Sequence, residues 1–198
     1  MKKRLLALAV LMICLSLISL GTLAYFNAED TAHNVISSGS VKIELVEKTK
    51  GEDGTTVDFP ADGLKNVMPG TAASKIVTVK NTGDAAAYVR VRVGSAIYAA
   101  GETESLPLTI TVGEETVDVL TMDYNTENWT KGEDGFWYYN KALKVGESTE
   151  ALFETVTFHK LMGNAYQNSK ATVDVAAQAT QVANNGSSAV EAKGWPET

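Results

Sequence analysis

From residue 41 onward, apolar and polar positions alternate with a period of two. Val41, Ile43 and Leu45 face one way and Lys42 and Glu44 the other, as a strand with one buried face requires. The pattern returns at 76–80 and at 88–93, where Val89, Val91 and Val93 share a face and Arg90 and Arg92 take the opposite, wet one. Asn81, Thr82, Gly83 and Asp84 between them are turn residues. Further strands are predicted over 108–112, 116–120, 136–140, 152–158 and 171–182, separated by Gly-, Asn- or Asp-rich turns. Eight or nine short strands with almost no helical repeat predict an all-β fold, an antiparallel jelly-roll-like β-sandwich over residues 35–198.

The hexapeptide TKGEDG occurs twice, at 49–54 and 130–135. A calcium loop spreads alternating oxygen ligands over about 12 residues, whereas each copy offers one Glu-Asp pair before Gly. Asp-Gly between strand-like runs instead predicts two similar hairpin tips, because Gly takes positive φ freely and Asp bonds its own backbone. No longer self-similarity surrounds the copies, so a repeat architecture is rejected. The tail NNGSSAVEAKGWPET predicts one short helical turn, with Ser187 or Ser188 as N-cap and a stop at Gly194 and Pro196. Trp195 would then fold back as a plug against the sandwich, the alternative being a frayed terminus.

Before the alternation lies a different pattern. Lys2, Lys3 and Arg4 precede an apolar run over 5–20, broken only by Ser16 and Ser19 and closed by Gly21, Thr22, Leu23 and Ala24. The run is shorter than the roughly 20 residues of a spanning helix, and small residues stand at −3 and −1 for a cut after Ala24. Residues 1–24 are therefore predicted to be a signal peptide cleaved between Ala24 and Tyr25, with an uncleaved anchor as the alternative. Cys14 lies inside the apolar run, so the mature chain has no cysteine, hence no disulfide frame and no thiol chemistry. Cleavage would leave 14 basic residues against 24 acidic on 174, a net charge of −10 without a basic cluster. That balance disfavours nucleic acid and anionic lipid as partners.

Few residues suggest chemistry. Neither histidine, His33 or His159, belongs to HExxH, and no GxSxG elbow surrounds a serine. Glu102 with Glu104 and Glu114 with Glu115 read as solvated turns and edges. No catalytic, cofactor-binding or metal-ligating residue is assigned, and no cofactor is expected. The aromatic cluster Phe136, Trp137, Tyr138 and Tyr139, with Trp129 upstream, is the one candidate surface for sugars. Alternation puts Phe136 and Tyr138 on one face and Trp137 and Tyr139 on the other, so one pair is core and the other exposed or covered by a loop. Asn128 and Asn185 each begin an Asn-x-Ser/Thr glycosylation pattern.

Three stretches together resemble the TasA/camelysin family of exported bacterial proteins: GTLAYFNAEDTAHNVISSGSVKIEL, the NVMPG turn leading into SKIVTVKNTGDAAAYVRVRV, and DGFWYYNKALKVGEST. The first is the most specific, since such a signal-peptide end is read in that family by a dedicated signal peptidase of the SipW type. The resemblance implies a jelly-roll subunit, secreted to the extracellular matrix or cell surface and assembled into biofilm fibres with copies of itself and a matrix accessory protein. It further implies that the freed segment 25–34 adds as a donor strand to the next subunit, with Tyr25 and Phe26 as apolar anchors. The alternatives are a camelysin-like cell-surface metalloendopeptidase, for which no zinc motif is found, and a monomeric adhesin using Trp129 and Trp137.

Overall fold

A computed structural model describes residues 35–37, 41–51, 53–60 and 64–196. The strands are β1 (Val35–Ser37), β2 (Ile43–Lys50), β3 (Thr56–Asp58), β4 (Leu64–Val67), β5 (Ala72–Ser74), β6 (Ile76–Asn81), β7 (Ala87–Tyr98), β8 (Thr109–Val112), β9 (Glu115–Asp118), β10 (Leu120–Met122), β11 (Trp129–Lys131), β12 (Phe136–Tyr139), β13 (Thr155–Phe158) and β14 (Ser169–Gln181). Among the described residues the one helical element is a 3-10 turn at Asn164–Tyr166. The all-β character expected from the alternation is therefore what the chain forms.

One layer has the strand order β1-β14-β7-β12-β11, with β4 also paired to β14. The second is built from β3-β2-β6 and β10-β13-β5, two groups that backbone bonds join. β5 runs through Lys75 into β6, and the segment leading into β13 borders β6: Leu152 N–H donates to Val77 O at 2.8 Å and Val77 N–H to Phe153 O at 3.1 Å. Between the layers Val41, Ile43, Leu45, Val77 and Val79 meet Val89, Val91, Trp137, Tyr139, Ala177 and Ala179 in one apolar cluster. Alternation predicted which residues of β2, β6 and β7 would point into it.

Polar groups inside this sandwich are matched, as burial demands. Asn81, fully buried, donates to Ala85 O and Leu143 O at 2.8 and 3.0 Å and accepts from Gly83 N–H at 3.0 Å, which is why an Asn stands at that turn. Lys75, 2% exposed, lies 2.7 Å from a Glu47 oxygen and 3.8 Å from the centre of the Phe59 ring.

The two TKGEDG copies make the same turn. In the first, Gly51 N–H donates to Thr55 O, Gly54 N–H to Gly51 O, and Asp53 Oδ1 accepts from Thr55 N–H; Gly54 has φ +80°. The second repeats this with Gly132, Phe136, Gly135 and Asp134, and Gly135 has φ +82°. They close the β2–β3 and β11–β12 hairpins.

Three expectations need correction. The run 116–120 splits into β9 and β10, which join different sheets, because the fully buried Val119 turns inward and bonds Leu108 O and His159 N–H. Within 152–158 only β13 forms a ladder strand. Arg90 does not face water: its side chain is only 12% exposed, because the C-terminal segment covers that face.

That segment is the predicted plug. Tyr88, Phe136 and Tyr138 on the outer face of the first sheet form a second apolar cluster with Ala189, Ala192, Val182 and Trp195. The Trp195 ring packs edge-on to Tyr138 at 5.8 Å. Arg90 lies over Phe136 and Trp195, with its guanidinium carbon 4.0 and 4.7 Å from the ring centres. In place of the predicted helical turn, the tail makes a hydrogen-bonded turn that is not a helix, closed by Ala192 N–H to Ser188 O at 3.1 Å, with Ser188 Oγ accepting from Glu191 N–H.

Candidate functional site

β14 is the strand on which the candidate site is built. On one side it pairs with β7 over twelve residues, from Lys170↔Tyr98 to Gln181↔Ala87. On the other, β4 takes its start, with Ser169↔Val67 and Ala171↔Leu64, and β1 takes 177–179. Residues 172–176 lie between these two neighbours, and among the described residues no strand borders them on that side. Such a stretch of backbone offers N–H and C=O groups to an added strand.

The β1 pairing is parallel, Val35↔Ala177, Ile36↔Gln178 and Ser37↔Ala179, whereas every other ladder among the described strands is antiparallel. Parallel neighbours cannot be joined by a tight hairpin, so β1 reaches this edge without a turn to hold it there. The β-branched pair Val35-Ile36 was a local signal for a strand, too short to stand out in the sequence. Ala24, Tyr25 and Phe26, the predicted cleavage position and donor anchors, lie outside the described residues, as does the whole of 25–34.

The tryptophans expected at a binding surface are interior. Trp129 is 1% exposed and donates Nε1–H to Glu150 O at 3.2 Å. Trp137 is 7% exposed and stacks on Tyr124, with centroids 4.3 Å apart and planes 20° apart. Their rings fill the gap between the layers, so neither presents a free face on which a sugar could stack. The other pair of the cluster, Phe136 and Tyr138, is covered by the tail, so the alternation assigned the two faces correctly.

Charged groups around these rings act as fasteners. Asp134, in the second hairpin tip, accepts from Tyr138 OH at 2.6 Å and Arg90 Nη1 at 3.2 Å. Burial raises its carboxyl pKa, but the hydrogen bonds from Tyr138 and Phe136 N–H and the Arg90 charge together bring it below the usual value. On the opposite side of β12, Glu150 takes bonds from Lys141 Nζ at 2.8 Å and from Tyr139 OH. Lys141 and then Tyr139 hold the Glu150 carboxyl down at about 2, while burial and then Glu150 push the Tyr139 hydroxyl up to about 12.

These shifts predict how stability follows pH. The Glu150 contribution is complete above its unfolded value of 4.5 and is lost as pH falls through about 2. The Tyr139 contribution is complete below 10 and is lost as pH rises through about 12. The Glu150 side chain is 45% exposed, so solvent screening holds its share to about 0.2–1 kcal/mol. Urea midpoints should therefore fall slightly less between pH 5 and pH 2 in Glu150→Gln than in the parent. Equal slopes would show that the Lys141 and Tyr139 contacts do not favour the carboxylate.

His159 Nδ1 accepts from Leu161 N–H at 3.1 Å, a role in shaping the turn after β13. Asn128 N–H bonds Asn125 Oδ1 at 3.2 Å, and the Asn185 amide is bound into the tail. No family model matches the chain, and neither a characterised protein nor a solved structure matches it.

Proposed function

We propose that the protein is a secreted structural subunit that polymerises into, or decorates, extracellular biofilm-matrix fibres by donor-strand exchange. The donor is the segment 25–34, freed by a signal peptidase of the SipW type, and the acceptor is the β14 edge of another copy. The observation that carries this reading is the parallel β1–β14 pair beside the stretch 172–176, which no strand among the described residues borders on that side. Were the register of β1 continued backward one residue at a time, 34 would meet 176 and 30 would meet 172. On that extension the last five residues of the proposed donor, 30–34, would lie against the part of β14 that no described strand borders.

Such a strand can be supplied by the same copy or by the next one, because exchange between identical chains reuses the same contacts. Head-to-tail supply does not close, and it makes filaments. Each added backbone hydrogen bond contributes about 0.5–1.5 kcal/mol net. Burying Tyr25 or Phe26 would add roughly 1.5–3 kcal/mol each, so the anchors matter as much as the ladder.

The register supplies a direct test. The mature chain has no native cysteine, so Asn34→Cys and Ala176→Cys can be made separately and mixed before assembly. Under oxidation, disulfide-linked pairs joining one variant to the other are expected in the fibre fraction and not among monomers. Fibres that assemble from the mixture without such cross-links would remove this register and the β14 acceptor with it.

A further inference from the structure

The chain contains one Asn-Gly dipeptide, Asn185-Gly186, and it lies where the C-terminal strap is fastened to the sheet. Asn185 Nδ2 donates to Gln181 O at 2.9 Å, Lys193 O at 2.9 Å and Thr180 Oγ1 at 3.2 Å. Its Oδ1 accepts from Lys193 N–H at 2.8 Å, and Thr180 Oγ1 donates to the same Lys193 carbonyl at 3.0 Å. One side-chain amide therefore ties the end of β14 to Lys193, two residues before the Trp195 plug. No other strap residue makes so many bonds across the loop.

We propose that Asn185 is the latch of the strap and a deamidation site whose conversion releases it. In the reaction the Gly186 backbone nitrogen attacks Asn185 Cγ, a C–N bond forms, the side-chain nitrogen leaves as ammonia, and a succinimide results. Water then opens the ring to aspartate or isoaspartate. A following glycine suits this step because it puts no Cβ beside the attacking nitrogen. The Gly186 N–H has no acceptor among the described residues, so the nucleophile is unengaged while the amide it must reach is held by four bonds. The closed strap protects Asn185, and each opening exposes it.

Conversion reverses the hydrogen-bonding sense. An amide nitrogen gives two hydrogens, whereas a carboxylate gives none. The product would set negative oxygens against the Gln181 and Lys193 carbonyls, repelling both and leaving the Lys193 carbonyl only the Thr180 hydroxyl of the donors it has in the latch. Isoaspartate would also lengthen the backbone in a turn where Gly186 has φ +51° and an added Cβ would stand 3.1 Å from Ala192 N. The strap would lift from Tyr88, Phe136, Tyr138 and Arg90, and because deamidation is irreversible, it would stay lifted.

Trypsin reads this out at Lys193, whose carbonyl is the one being held. Mature protein is incubated in mildly alkaline buffer, and conversion of Asn185 is followed by peptide mass while cleavage after Lys193 is timed. Converted molecules are expected to be cut at least about fivefold faster, the increase in opening that corresponds to about 1 kcal/mol of latch lost. Asn185→Asp should reproduce this without incubation, and the aged parent keeps the test independent of whether that variant folds. Converted protein as resistant at Lys193 as fresh protein would overturn the proposal, as would conversion of Asn185 no faster than that of Asn184.

Discussion

A mature chain that begins at residue 35 is expected to fold and to stop polymerising. Among the described residues the core between the layers is assembled from Val41 onward, so the sandwich should survive removal of 25–34 with an unchanged β-sheet circular dichroism spectrum. Fibres should disappear from electron micrographs at concentrations where the intact mature chain forms them. The truncated chain still owns an acceptor edge, so when mixed with intact protein it should cap growing ends and shorten fibres below stoichiometric ratio. Filaments of normal length from the truncated chain alone would sink the donor-strand account. The contrast with a protease or a glycan binder is sharp, since neither activity needs the leading ten residues.

Trp137→Ala is expected to cost about 3–5 kcal/mol, the range for truncating a buried aromatic ring. The ring is sandwiched: Tyr124 stacks on it, the Tyr124 hydroxyl bonds Met122 Sδ at 2.9 Å, and Tyr124 meets Phe153 edge-on at 5.7 Å. Removing the indole would leave Tyr124 without support and open a cavity between the layers. Against a total stability of about 5–15 kcal/mol, the loss is a large fraction, and at about 2–4 °C per kcal/mol in a domain of this size it should lower the melting temperature by roughly 10 °C. Trp137→Phe should recover part of it. A variant that melts within a degree or two of the parent while losing binding to a glycan would restore the carbohydrate reading of the aromatic cluster.

What was legible in the sequence was local. The faces of β2, β6 and β7 followed from alternation, the hairpin tips from Asp-Gly, and the tail plug from its stop signals around Trp195. Strands of three or four residues, such as β1, β5 and β10, carry too few positions for a period to emerge. Arg90 looked solvated because alternation says which face a residue takes and nothing about what later covers that face. The edge proposed as the acceptor was invisible for a related reason: whether 172–176 is bordered depends on where residues more than a hundred positions earlier come to lie. The strap latch was likewise noticed only as a glycosylation pattern, since the bonds that make Asn185 special come from Thr180, Gln181 and Lys193 in a folded loop.

The pairing of β7 with β14 also sets a timetable. Its closest contact in sequence joins Tyr98 to Lys170 and its most distant joins Ala87 to Gln181. β7 can pair with β12 earlier, but its longest ladder waits until almost the entire polypeptide is available, and long-range pairing of this kind is slow to nucleate. If the chain is exported N-terminus first, as proposed, that delay would keep the first sheet incomplete until the final strand emerges. On that proposal the leading segment would emerge ahead of any completed domain that could capture it.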